Sequence, residues 1–174
     1  MENPLITAVT HTTDEALITL TGVPDRPGAV AEIFTALAGG GVNVDTIVQN
    51  KPAGQDVRAE VSFTLSSEDM HAAEVALAPV KEHLELTGIE LDEEVGKVSI
   101  IGAGMRSHPG VAAKVFEVMG TEGINIEIIH TSPIKITCLI RQAGVPAAVI
   151  ALHEAFGLSA AEVQEELPLG QQAR

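Results

Sequence analysis

The chain has 174 residues, with 10 Lys and Arg against 24 Asp and Glu and a formal net charge of −14. So acidic a surface repels a phosphate backbone and an anionic membrane alike, which argues against nucleic acid and membrane as partners. Aromatic residues make up 2%, with no Trp or Tyr, so there is no platform on which single-stranded bases would stack. The length suits one domain or two small ones, and a 45% hydrophobic content suits a globular chain. No apolar run approaches the roughly 20 residues that span a bilayer. The opening MENPLITAV lacks a basic n-region, so no signal peptide is expected. The single cysteine, Cys138, cannot close an intrachain disulfide, and this composition suits a reducing cytoplasm.

In chain order, Leu5–Thr10 reads as a strand and Ala16–Thr21 as a second, short β-rich run. After the Pro27-Gly28 turn, Val30, Ile33, Phe34 and Leu37 fall at the spacing of an amphipathic helix. Gly39-Gly40-Gly41 ends that helix. Asn43–Gln49 reads as a strand, and Val57, Ala59, Val61, Phe63 and Leu65 alternate as a half-buried strand does. Ser66 with Asp69 offers an N-cap to a helix that runs to about Leu84, kinked or broken at Pro79. Ile89–Val95 is a fourth strand, which makes the order βαββαβ.

That pattern then recurs. GVPDRPGAVAEIFTALAGGGVNVDTI, from Gly22, returns without a gap as GMRSHPGVAAKVFEVMGTEGINIEII, from Gly104, so the chain is a duplication. The second copy gives a strand at Val98–Ala103, a helix stripe of Ala112, Val115, Phe116 and Met119, and strands at Asn125–Thr131 and Ile134–Ile140. A helix from Pro146 to Gly157 should bury Val149, Leu152 and Phe156. Residues 159–174 are polar and acidic and lack a convincing apolar strand, so 161–174 is expected to be a flexible tail. The domains expected are 13–95 and 96–160. Leu5–Thr10 belongs to no unit of the first copy. It either extends the first domain as a hairpin or supplies the missing fourth strand of the second, whose sheet edge is otherwise open.

Chemistry concentrates at the turn before each repeated helix. Pro27-Gly28-Ala29-Val30 and Pro109-Gly110-Val111-Ala112 place glycine at a helix entrance, where a ligand can approach closely. The free N–H groups and the helix dipole favour a carboxylate or phosphate there. Asp25 precedes one turn, and Ser107-His108 the other. The alternative is a plain strand-to-helix turn. Asn43 and Asn125 open the next strand, where an amide could grip both the amine and the carboxylate of an amino acid, or simply form a turn. Gln49-Asn50 and Thr131-Ser132 end it, as ligand contacts or solvated loop. The six histidines (11, 71, 83, 108, 130, 153) show no metal-ligand spacing, and Cys138 in an alternating strand reads as a buried small hydrophobe. Gly102-Ala103-Gly104 does not continue into a dinucleotide fingerprint, and no phosphate loop is present. No catalytic centre, metal or cofactor is expected.

Asp25-Arg26-Pro27-Gly28 followed by Gly41-Val42-Asn43-Val44-Asp45-Thr46-Ile47-Val48-Gln49-Asn50 resembles the ACT domain, an amino-acid-sensing βαββαβ module. Val95–Val111, Gly123–Ile129 with Thr131-Ser132, and Ala151–Phe156 resemble the second ACT domain of aspartokinases, so the likeness covers about 14–160. It implies an α+β fold of two ferredoxin-like ACT domains in tandem, with antiparallel sheets, helices on one face, and the strand at 4–11 completing the second. It also implies a separate regulatory (β) subunit, or a regulatory fragment of a longer kinase, that is not an enzyme by itself. Such a subunit forms a homodimer through its ACT domains, assembles with a kinase-bearing catalytic α subunit as α2β2, and imposes feedback inhibition by threonine and lysine. Carried over, the threonine site comprises Asp25, Gly28, Ala29, Val30 and Gln49, closed by Asn125 and Ile126 of a facing domain. A second site would use Ser107, His108, Gly110, Val111, Ala112, Asp45, Thr131 and Ser132. The family usually carries Thr-Ser-Glu-Ile-Arg where this chain has Thr131-Ser132-Pro133-Ile134-Lys135. A carboxylate partner for a lysine ammonium is lost, so threonine is expected before lysine. Competing readings are an amino-acid-sensing small subunit of another biosynthetic enzyme, a small enzyme on the same scaffold, and a ligand-free assembly module.

Overall fold

A computed structural model of the protein describes residues 5–50, 58–103, 110–158 and 163–165. The elements are β1 (Leu5–Pro24), α1 (Ala29–Gly39), β2 (Ile47–Asn50), β3 (Arg58–Leu65), α2 (Met70–His83), β4 (Gly88–Ala103), α3 (Val111–Thr121), β5 (Ile126–Ser132), β6 (Lys135–Arg141), α4 (Val145–Phe156) and β7 (Val163–Glu165). Short 3-10 turns, Ser67–Asp69 and Gln142–Gly144, lead into α2 and α4. The chain forms two compact units. Among described residues, one takes 14–93 and the other takes 5–13 together with 94–165. β1 and β4 each contribute to both.

In the 14–93 unit the strands lie in the order β2-β3-β1-β4. β3 pairs antiparallel with β1 (Ile18 opposite Phe63) and with β2 (Gln49 opposite Val61). Alternate residues of the strands, Ala16, Ile18, Leu20, Val61, Phe63 and Leu65, face Ala29, Ile33 and Leu37 of α1 and Ala73 and Leu77 of α2 in one core. Each large aliphatic side chain so buried contributes about 1.5–3 kcal/mol. Phe34 meets Phe63 edge to face, with ring centroids 5.3 Å apart.

The other unit repeats the plan in the order β1-β4-β6-β5. β6 pairs antiparallel with β4 (Ser99 opposite Thr137) and with β5 (Ser132 opposite Lys135). Its core joins Val98, Ile100, Ile136, Cys138 and Ile140 to Val111, Val115 and Met119 of α3 and Val149 and Leu152 of α4, with Ile6 and Val9 of β1. Each unit also carries a cross-strand hydroxyl pair. Thr19 and Ser62 share one at 3.1 Å across β1 and β3, and Ser99 and Thr137 share one at 2.8 Å across β4 and β6.

Several elements differ from what their sequence suggests. β1 is one strand through Leu5–Pro24 rather than two short runs. β4 likewise continues through Gly96 instead of breaking between Val95 and Val98. A Cβ at Gly96 would come 2.6 Å from Val145 Cγ2 and 3.0 Å from Thr12 O, so glycine marks a close approach there, not a turn. α2 runs unbroken across Pro79. Val75, whose carbonyl loses its partner to the proline, is 62% exposed, and water can serve that carbonyl. Ser66 does not cap α2. Its hydroxyl donates to Asp14 Oδ2 at 2.8 Å and Ser67 N donates to Asp14 Oδ1 at 3.2 Å, so the capping carboxylate comes from β1. β2 starts at Ile47, later than Asn43, because the ladder is irregular at Thr46, whose N–H donates to Thr64 Oγ1. The C-terminal region holds a strand after all: β7 pairs parallel with β1, Val9 opposite Val163 and His11 opposite Glu165.

Candidate functional site

Both repeated turns adopt the same backbone. Gly28 has φ 93° and Gly110 has φ 110°, a left-handed conformation that L side chains resist, and each is the residue before its helix. Neither helix start receives a side-chain cap. Ala29 and Val111 are buried beneath the turns, while Gly28 and Gly110 are exposed. Ala29 N–H donates to Arg26 O at 3.3 Å, and no side chain caps the positive end of either helix, a setting suited to a carboxylate.

Sheet topology decides what else lies near. β1 and β2 both run antiparallel to β3, so they run the same way. The exposed Asp25, the Gly28–Val30 turn and Gln49 accordingly lie toward one end of the sheet, with Gln49 exposed on the edge strand. In the other unit β4 and β5 both run antiparallel to β6, which puts Thr131 and Ser132 at the end where β4 leads toward Gly110, Val111 and Ala112. Asn125 and Ile126 open β5 and therefore stand at the opposite end of that sheet. Asp45 precedes β2, where its N–H donates to Thr64 O at 2.9 Å, and it too sits at the far end from its own unit's turn. No single unit thus gathers the whole set. Ser107 and His108 lie outside the described residues. Ser132 Oγ accepts from Ile134 N at 3.4 Å, and Gly102 N donates to Ile134 O at 2.9 Å, which ties the Pro133-Ile134 turn to β4.

One arrangement at the first turn was not readable from spacing. Arg26 Nη2 donates to Glu32 Oε1 at 2.9 Å, and its Nη1 donates to Pro27 O at 3.3 Å. Glu32 Oε2 also faces His83 Nε2 in the last turn of α2, 3.3 Å away. Glu32 and His83 form the polar end of a groove of about 580 Å3 between α1 and α2, whose remaining walls include Ala31, Ala36, Pro79 and Val80. Among the described residues no three His, Cys, Asp or Glu gather as a metal site, and no helix is long and apolar enough to cross a membrane. Cys138 is buried in β6, and burial pushes its thiol up to about 11. It is no nucleophile at neutral pH.

Comparison with known proteins follows the duplication. ACT-domain family models match residues 17–77 and 98–156. The regulatory subunit of aspartate kinase from Thermus thermophilus, in its ligand-free form, is 38% identical with a TM-score of 0.81, and the match covers 87% of this chain and 98% of that one. The chain belongs to the tandem-ACT regulatory family of aspartate kinases. The aspartokinase of Mycobacterium bovis is 43% identical over 162 residues, which is 93% of this chain and 38% of that protein. The chain thus spans well under half the length of the curated relatives it matches. A structure of aspartokinase alpha and beta subunits matches with 38% identity and a TM-score of 0.80, covering 88% of this chain and 99% of that chain. The ACT family assignment accounts for the repeated strand order, both helix pairs and the twice-used glycine turn.

Proposed function

We propose that this chain senses threonine for feedback control of aspartate phosphorylation. It acts as the regulatory part of a cytoplasmic aspartate kinase whose catalytic function resides in an α chain, in an α2β2 assembly. The observation that carries the reading is the uncapped Gly28 turn set at the same sheet end as Asp25 and Gln49, while Asn125 and Ile126 stand at the far end of their own sheet. Such a division suits a pocket closed by a second copy of the chain. Threonine's carboxylate would take the Gly28–Val30 amides, its hydroxyl Gln49, and Asn125 with Ile126 from the second copy would cover it. The second turn, with Gly110, Val111, Ala112, Thr131 and Ser132, is a further seat for an amino acid. Lysine ranks behind threonine because Pro133 leaves no carboxylate for its ammonium.

Calorimetry against the amino acids tests this. Threonine should bind, and Gln49→Ala should weaken it by about 1–3 kcal/mol, since the ligand hydroxyl is left unpaired. Alanine, which has no hydroxyl, should notice the change little. Asn125→Ala should weaken both and reduce ligand-dependent dimer tightening. Parent-like threonine binding by both variants would move the site elsewhere, and silence toward all amino acids would favour a ligand-free assembly module.

A further inference from the structure

We infer that the groove between α3 and α4 is a docking surface for a partner protein, and that the segment it takes is a basic helix with an apolar face. The groove has a volume of about 410 Å3 and lies at the end of α3 away from the Gly110 turn. Val118 of α3 and Ala151 and Ala155 of α4 make its apolar floor, and Glu117, Glu122 and Glu154 stand exposed around it. None of these three carboxylates has a hydrogen-bond or ion-pair partner among the described residues. Lys114, the basic residue of α3, sends its ammonium over the Phe156 ring, 4.9 Å from the centroid. Ile150, one turn before Glu154 on α4, is 61% exposed.

Local helix chemistry opposes this acidity. A helix C-terminus carries partial negative charge and favours cations. Glu122 is the C-cap of α3, the last turn of α3 holds no basic residue, and Glu154 shares the last turn of α4 with His153. Negative charge thus gathers where the backbone resists it, and such departures from local preference are expected at functional surfaces. The duplication supplies a comparison. By the offset that relates the repeats, Thr35 and Gly40 stand where Glu117 and Glu122 do. Counting from the first residue of each helix, Pro79 of α2 stands where Glu154 does, and Val75 where Ile150 does. Val75 is likewise 62% exposed. The exposed aliphatic is common to both helix pairs, whereas the three carboxylates belong to the second alone. The shared fold does not call for them, since the first unit closes without them.

Charge complementarity selects the occupant. Three unpaired carboxylates repel nucleic acid and an anionic membrane. They attract lysine and arginine, and the floor between them takes an apolar side chain. An amphipathic helix supplies both: one apolar residue on Val118, Ala151 and Ala155, another a turn away against Ile150, and cations on either side. A free polyamine would satisfy the rim and leave the floor bare. The surface does not involve the glycine turns, so it serves whichever amino acid they bind.

The probe is a peptide of about 14 residues with leucines at helical spacing and lysines between them, titrated into the isotope-labelled full chain. Amide shifts should saturate and centre on 117–122 and 150–155. Binding should weaken as salt rises from about 50 to about 500 mM, because the rim is exposed. Glu117→Gln, Glu122→Gln and Glu154→Gln combined should weaken it roughly three- to thirtyfold, the range of three exposed ion pairs. Glu68, Glu74 and Glu82 are exposed acids of the other unit, and the same triple change there should leave affinity within about twofold. Ile150→Ser should weaken binding without altering its salt dependence, which separates the apolar contact from the charge. Absence of binding by the parent overturns the inference, as do shifts spread over both units or equal losses from the two triple variants. Full displacement of the peptide by spermidine at equal concentration also overturns it, since the groove would then capture any cation.

Discussion

Gly22 carries a φ of 77°, and a Cβ there would stand 2.6 Å from Thr87 Oγ1 and 2.7 Å from Thr87 N. The second contact is with backbone and cannot swing away, so Gly22→Ala combines backbone strain with overpacking and should cost about 2–4 kcal/mol, read as a lowered denaturation midpoint. The same corner is clasped by Arg58, whose Nη1 donates to Gly22 O and Glu85 O at 2.8 Å and to Leu84 O at 3.3 Å. One guanidinium thereby satisfies carbonyls at the end of α2, where Glu85 takes a positive φ of 52°. Cys138 gives a pH signature. Its thiol ionises near 9.0 when free and near 11 when buried, so the unfolded chain loses this proton first. Stability should fall as pH rises from about 9 to about 11, by about 2–3 kcal/mol in all, and Cys138→Ala should remove that part of the slope in denaturation curves.

At the scale of elements, β1 lies beside β4, and Thr7 Oγ1 donates to Ile101 O at 3.3 Å. Removing residues 1–12 should therefore speed hydrogen exchange at 98–103 and 134–140 far more than at 16–21; unchanged protection there would mean that this stretch is dispensable to the sheet. Legibility differs sharply among elements. Helix faces were readable because Ile33 and Leu37 recur as Val115 and Met119, and a helical stripe is a local pattern. The continuity of β4 was not, because Gly96 reads as a break until Val145 and Thr12 are known to press on it. β7 was not, since three residues carry no period of their own and depend on a partner at the other end of the chain. The glycine turns of the site were readable because they occur twice. Arg26, Glu32 and His83 were not, because their meeting depends on how α1 packs on α2, and Asp14 escaped notice as a cap for the same reason.

At the scale of the whole molecule, the chain matches the regulatory share of its relatives, so a clean preparation should show no ATP-dependent phosphorylation of aspartate. Added to a kinase-bearing chain, it should confer threonine sensitivity. A coupling of about 1–3 kcal/mol between effector and active site is enough for strong control. Turnover by this chain alone would contradict the regulatory assignment. The sharing of β1 between units has a further consequence for how the chain is made. Residues 5–13 leave the ribosome before the intervening 14–93 unit, yet their own unit is completed only by residues from 94 onward. The 14–93 unit can close as soon as it emerges, while the leading strand waits unpaired. In chain order the second repeat is a circular permutant of the first, and moving residues 1–13 behind the end of the second repeat would restore two uninterrupted copies, each emerging from the ribosome as one continuous unit.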